Sequence, residues 1–184
     1  MHEARILAGF GGQTSENVVS FGLIMHDPCM DPFDLRLLAA LQRDGRLTNN
    51  ELAERVGLSA SQCSRRRQQL ETDGTIRAYH AEIEPAAIGL HVHAFVQVTL
   101  ATHSPDNARR FQRLVEGLDE VLEAFAVTGE ADYLIRLVVP DLPALARILN
   151  EVFLPHESVA HVRSSIGLTC LKDTSVLPMP APRA

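Results

Sequence analysis

The spacing of apolar positions changes along the chain, and the changes divide it into regions. Between residues 31 and 74 the period is helical. Leu35, Leu38 and Leu41 form one stripe of a helix expected over residues 31–44, which Gly45 ends. Leu52, Ala53 and Val56 are the inward positions of a second helix, stopped at Gly57. Cys63, Leu70 and Gly74 share one side of a third. The second and third helices both open on a capping box, Thr48-Asn49-Asn50-Glu51 and Ser59-Ala60-Ser61-Gln62. In such a box the hydroxyl bonds the amide three residues on, and the longer polar side chain bonds back. Two capped helices joined by the short turn Gly57-Leu58-Ser59 predict a helix-turn-helix.

Residues 76–87 read as a short strand and connector, and beyond Gly89 the period becomes that of a strand. Val92, Ala94, Val96, Val98 and Leu100 alternate with His91, His93, Phe95, Gln97 and Thr99. Phe111, Leu114, Val115 and Leu118 return to helical spacing over residues 107–118. Residues 121–128 alternate again, and Gly129-Glu130-Ala131-Asp132 turns the chain into a strand over 133–139. Pro140 and Pro143 bracket the start of a helix with Leu145, Ile148, Leu149 and Val152 buried, Pro155 closes it, and residues 159–171 form the last strand. A β-α-β-β-α-β series of this kind folds as a four-stranded antiparallel sheet with both helices on one face, a ferredoxin-like arrangement. The fold class is therefore α+β, with an N-terminal helix-turn-helix domain and a C-terminal ferredoxin-like domain. The expected plan is a flexible extension (1–30), helix-turn-helix (31–80), connector (81–90), sheet domain (91–172) and extended tail (173–184). The extension shows neither period and holds Gly9, Gly11 and Gly12; Met30 is an alternative start.

At 184 residues the chain suits one ordinary domain or two small ones, and 46% apolar with 22% charged residues is ordinary for a globular protein. No apolar run approaches membrane-spanning length, and the first 25 residues do not read as a secretory signal. Cys29, Cys63 and Cys170 are too few and scattered for a disulfide framework or a four-ligand zinc site, which points to the reduced cytoplasm. The absence of Trp and the presence of only two Tyr disfavour an aromatic-lined sugar or base-stacking groove. The net charge of −6 conceals a gradient: residues 31–80 carry eight Arg against seven carboxylates, while 1–30 and 81–184 are net −2 and −5. A local cationic face grips phosphates even on an acidic protein, so the overall sign does not exclude DNA.

The third helix carries the chemistry. At about 100° per residue, Ser61, Arg65, Gln68 and Gln69 fall opposite Cys63 and Leu70, with Gln62, Ser64 and Arg66 on the flanks. Small polar residues near the amino end permit close approach in a major groove, where Arg reads guanine and Gln adenine, while Arg and helix-terminal amides hold phosphates. The candidate DNA-binding residues are Asn49, Ser59, Ser61, Gln62, Ser64, Arg65, Arg66 and Gln69. An exposed helix face is more often merely solvated, but the preceding capped helix and turn reverse that preference. Arg67 lies about 40° from Cys63, inside the apolar sector; either its stem packs while its head reaches solvent, or it pairs with Glu71. Cys63 is more readily a small buried thiol than a redox switch.

Residues 34–81, with Leu47-Thr48-Asn49-Asn50-Glu51-Leu52-Ala53, Gly57-Leu58-Ser59, Arg66, Leu70-Glu71, Gly74-Thr75-Ile76 and Tyr79-His80-Ala81, resemble the leucine-responsive/AsnC (Lrp/AsnC) family of transcriptional regulators. The second half resembles that family's ligand-sensing (RAM) domain, most clearly at Val127-Thr128-Gly129-Glu130-Ala131-Asp132-Tyr133-Leu134, and the likeness spans about residues 31–177. Arg67 departs from the hydrophobic residue usual at its place, and residues 1–29 have no counterpart in the pattern. The resemblance implies a sequence-specific regulator that binds double-stranded operator DNA, senses an amino acid or related small metabolite, and forms homodimers and sometimes octamers. It also places the effector pocket between subunits near the Gly129 loop. Thr128, Gly129, Asp132, Tyr133 and Ser165 are the candidate effector residues, with Ser164 and Thr169 as further hydroxyls. Asp132 is suited either to an ammonium group or to capping turn amides.

A small helix-turn-helix reads few base pairs, so specificity calls for two copies on a two-fold site. A sheet with helices on one face leaves the other for a partner sheet, with apolar residues available in 92–100 and 166–170. No phosphate loop, nucleophile elbow or metalloprotease motif marks an enzyme, and no cofactor is implied. The competing readings are a metal-responsive regulator using His91 and His93, with His103 near, and a metabolite-binding module that has lost DNA binding.

Overall fold

The computed structural model describes residues 30–180. The expected extension, apart from Met30, and the last four residues of the tail lie outside the described residues.

Helices α1 (Pro32–Leu41), α2 (Asn49–Val56) and α3 (Ala60–Thr72) form the first unit. Asp31 caps α1 by accepting from the Phe33 amide at 2.7 Å, and both capping boxes are formed. Leu37, Leu41, Leu47, Leu52, Val56 and Cys63 make one core. The buried stripe of α1 is thus Leu37 and Leu41, with Leu35 and Leu38 only half-buried, because α2 and α3 both lie on the Leu37 side. α1 also ends at Leu41, before the expected 44. α3 ends at a left-handed glycine: Gly74 takes φ +76° with its amide on the Glu71 carbonyl (3.3 Å), and the Ile76 amide returns to the Leu70 carbonyl at 2.8 Å. Residues 76–84 are irregular, with no strand, and lead to a single 3₁₀ turn at Pro85–Ile88.

The second unit comprises β1 (Val92–Leu100), α4 (Pro105–Glu116), β2 (Val121–Ala126), β3 (Tyr133–Val139), α5 (Leu142–Arg147) and β4 (Val159–Ile166). The sheet is antiparallel in the order β2-β3-β1-β4. Ala94, Val96, Val98 and Leu100 pack with Ile135, Leu137 and Val139 against Phe111 of α4 and Leu145 of α5. Fully burying an aromatic ring such as Phe111 or Phe153 contributes about 2–3 kcal/mol. α5 passes directly into a π turn, Ile148–Phe153. The wider turn inserts one residue, so the buried sequence runs Ala144, Leu145, Ile148, Phe153, and the expected Val152 is only half-buried. β4 stops at Ile166 instead of 171; Leu168 and Leu171 beyond it are exposed. Buried Asn107 ties the turns together, its Nδ2 donating to the carbonyls of Thr102 (2.8 Å) and Ser158 (3.2 Å).

Candidate DNA interface and effector loop

The amino end of α3 is fixed by its own side chains. Ser59 Oγ accepts from the Gln62 amide (3.3 Å), Gln62 Oε1 accepts from the Ser59 amide (3.0 Å), and the Ser59 hydroxyl also lies 3.1 Å from Ser61 Oγ. Ser59 and Gln62 therefore shape the helix end first, which narrows what they can offer a base. Ser64, Arg65 and Gln69 are exposed, and among the described residues their side chains take no hydrogen-bond or ion-pair partner. Asn49 begins α2 half-buried, with an Oδ1 that is buried and unpartnered, so only its Nδ2 can serve an outside acceptor.

Arg66 departs from its expected role. Its NH1 donates to Asp34 Oδ1 at 2.8 Å and its NH2 to Asp31 Oδ2 at 3.0 Å. Phe33 lies beneath it, the guanidinium carbon 5.7 Å from the ring centre. Its charge is already matched by two carboxylates, so it ties α3 to the start of α1. The partners stand 32 and 35 positions upstream, beyond the reach of a helical projection. The Phe33 amide bond, and after it Arg66, hold the Asp31 carboxyl below its ordinary range. The two bonded carboxylates in turn raise the Arg66 pKa.

Arg67 realises the pairing alternative and adds to it. Its Nε donates to Glu71 Oε1 (3.1 Å) and Tyr79 Oη (2.9 Å), its NH1 to the Leu47 carbonyl (3.0 Å), and its guanidinium stacks 4.7 Å from the Tyr79 ring centre. The Tyr79 hydroxyl donates to Glu71 at 2.8 Å, and that bond, with Arg67, lowers the Glu71 pKa. Burial pushes the Cys63 thiol up, as befits a packed group more than a reactive one.

In the loop between β2 and β3, Gly129 holds φ +119° with open space where a Cβ would stand, so its requirement is conformational. Both carboxylate oxygens of Asp132 have partners within the chain. Its Oδ2 accepts from the Leu100 amide at the end of β1 (2.7 Å) and its Oδ1 lies 2.9 Å from His103 Nε2, so it bonds the neighbouring strand and not the amides of its own turn. Tyr133 turns to the helix side, its ring centre 4.8 Å from that of Phe111, and burial raises its phenol pKa. It packs, partly buried, against the core of the sheet domain. Thr128 does border a depression of about 390 Å³, with Gln97, Val127, Glu130, Ala131, Leu134 and Arg163. An adjoining hollow of about 330 Å³ takes in Thr99 and His161. Ser165 lies on the same open face, opposite Phe95. Thr169 lies beyond β4. Gln97, Glu130 and Arg163 are not among the candidate effector residues of the sequence; Gln97 and Arg163 become neighbours only through the β1–β4 register.

The helix-free sheet face carries Phe95, Phe125 and Leu134 beside a 2.7 Å Arg136–Glu123 bond. The histidines do not converge. His91 and His93 stand at the start of β1, while His103 follows its far end, about 25 Å along the strand axis, and pairs with Asp132. Among the described residues no group of three His, Cys, Asp or Glu could hold a metal.

Known proteins share this arrangement. Residues 30–71 match the AsnC-type helix-turn-helix domain, and residues 93–177 match the Lrp/AsnC ligand binding domain. The leucine-responsive regulatory protein of Escherichia coli is 35% identical over 148 residues, 80% of this chain and 90% of that protein. The chain belongs to the Lrp/AsnC family of transcriptional regulators. Two solved relatives of this Lrp/AsnC regulator superpose closely. A transcriptional regulator from Neisseria meningitidis in complex with L-Met is 40% identical, with TM-score 0.78 over 81% of this chain and 96% of that one. An AsnC family regulator from Agrobacterium tumefaciens is 36% identical, with TM-score 0.77 over 81% and 97%. The regulator thus joins a DNA-binding helix-turn-helix to a ligand-binding sheet domain, in a family of regulators and not of enzymes. Among the described residues no helix is long and apolar enough to cross a membrane.

Proposed function

We propose that a homodimer of this regulator reads a two-fold operator with α3 in the major groove and changes its affinity when an amino acid binds the sheet domain. The observation that carries the DNA half is the contrast among three consecutive arginines. Arg66 and Arg67 are bonded to carboxylates of their own domain, whereas Arg65 is exposed with no such partner among the described residues. Arg65, Ser64, Ser61 and Gln69 approach bases and phosphates, and the α3 capping box and Asn49 Nδ2 lie toward the backbone. The helix-free sheet face, with Phe95 and Phe125, packs on its counterpart in the second copy. The effector lies at the Thr128–Gly129 turn, where Arg163 and Glu130, 3.9 Å apart, offer opposite charges to a carboxylate and an ammonium group. The L-Met complex of the Neisseria relative makes that amino acid the first to try. DNA as target fits a cytoplasmic location.

The test is anisotropy of a labelled operator obtained by in vitro selection, run with each of the twenty amino acids. Two-fold selected sites, with affinity shifted by at least one amino acid, support the reading. A chain that selects no sequence overturns its DNA half, and one that no amino acid affects overturns its effector half.

A further inference from the structure

The tail does not simply trail away from the sheet domain. Gln42, the residue that ends α1, donates from Nε2 to the Leu177 carbonyl at 2.9 Å and accepts at Oε1 from the Leu177 amide at 2.9 Å. One side-chain carboxamide thus satisfies both backbone groups of one tail residue, as a strand partner would. Local chemistry explains why Leu177 suits this pairing. It precedes Pro178, which biases it toward extended backbone, and an extended residue points its N–H and C=O to the same side. Upstream, the Val176 amide is held by Thr174 Oγ1 at 3.1 Å, and Met179 just beyond is half-buried.

The point of attachment matters. Gln42 opens the α1–α2 turn, and the same turn receives the connector: Tyr79 lies against Gly45, where an added Cβ would stand 3.0 Å from the ring, and Arg67 binds the Leu47 carbonyl. The chain leaves the helix-turn-helix through Tyr79, passes through the whole sheet domain, and comes back to residues 42–47 from the end of β4. The eleven steps from Ile166 to Leu177 span at most about 40 Å, so the tail limits how far β4 and α1 can separate. A single connector would leave the reading head free to swivel; two attachments on one turn restrict it.

We propose that residues 167–177 act as a second strut between the ligand-binding and DNA-binding units, with Gln42 as the positioning residue that clips it. Gln42 touches no DNA in this scheme; it fixes the angle at which each α3 is presented, and so the half-site spacing a dimer accepts. This rests on the dimeric DNA reading proposed above. It also supplies a route by which an event on β4, at Arg163 or Ser165, reaches α1.

The experiment uses the full chain as Gln42→Ala and, separately, as Leu177→Pro, which removes the amide donor without altering the helix-turn-helix. Hydrogen exchange on the DNA-free protein reads the clip directly. The Leu177 amide is protected in the unaltered chain and loses that protection in Gln42→Ala; unprotected exchange in the unaltered chain overturns the strut, whatever DNA does. Operator duplexes with 2 base pairs inserted between half-sites, a rotation of about 70°, then read the positioning. The unaltered regulator loses affinity by at least about tenfold on the insertion, whereas both variants lose less than about threefold and keep their melting temperature. Equal spacing penalties in all three proteins overturn the proposal. If no duplex is bound at all, the DNA reading fails while the exchange measurement still decides the clip.

Discussion

Arg66 NH1 stands 2.8 Å from Asp34 Oδ1, with the two side chains only 22% and 21% exposed. This contact turns a residue that looks like a phosphate ligand into the bond between the first and third helices. It also separates two neighbours on one helix: Arg65 faces outward while Arg66 holds the domain together.

The first prediction follows from that separation. Arg66→Ala leaves Asp34 and Asp31 without their cation, and the melting temperature of the helix-turn-helix falls by about 5 °C. Arg65→Ala leaves it unchanged but weakens operator binding, lowering the slope of log affinity against log salt by about 1. Scanning calorimetry with anisotropy at several salt concentrations checks both, and a reversed pattern removes the assignment.

Acid should loosen the same domain. Asp31, Glu51 and Glu71 all have pKa values lowered by folding: Asp31 chiefly by the Phe33 amide, Glu51 by the Thr48 amide, Glu71 by the Tyr79 hydroxyl. A group with a depressed folded pKa adds stability that is complete above its unfolded value, near 4, and is lost as pH falls through the folded value. Stability to urea is expected to be level above about pH 5 and to fall steadily below about pH 4. Glu51→Gln, which keeps an acceptor for the Thr48 amide, makes that fall shallower. An identical pH profile in the variant counts against the carboxylate's part.

Gly45 reports on Tyr79. Its φ is not in the left-handed region, so Ala is allowed there, but the new Cβ lies 3.0 Å from Tyr79 Cδ1. Gly45→Ala should lower the melting temperature by a few degrees by displacing the ring, and should do nothing further in a Tyr79→Ala background. Additive losses in the double-mutant cycle would show the two residues to be uncoupled.

In the sheet domain, Asp132→Ala leaves the Leu100 amide without its acceptor and costs about 1–2 kcal/mol. Asp132→Asn retains an oxygen there and costs less than half as much. Urea denaturation of the two variants compares them, and equal losses would mean that charge, not the bond to the Leu100 amide, is what Asp132 supplies.

Much of this was legible in the residues. Thr48 with Glu51 and Ser59 with Gln62 form the caps their spacing announces, since capping is a matter of three-residue separation. The β1 alternation buries Ala94, Val96, Val98 and Leu100, because a strand's two faces follow from parity. The Gly129 turn needs its glycine for backbone reasons that are equally local.

Tertiary structure decided what depends on residues far apart in the chain. Arg66 meets Asp31 and Asp34, Arg67 meets Tyr79 and the Leu47 carbonyl, Asp132 meets the Leu100 amide, and Leu177 meets Gln42, 135 positions away. Periodicity gives the direction of a side chain relative to its own helix or strand, but not which partner packing brings to that side. A charged or amide group takes whichever complementary group it finds there, so which of the three arginines is paired within the domain depended on the three-dimensional arrangement of the helices.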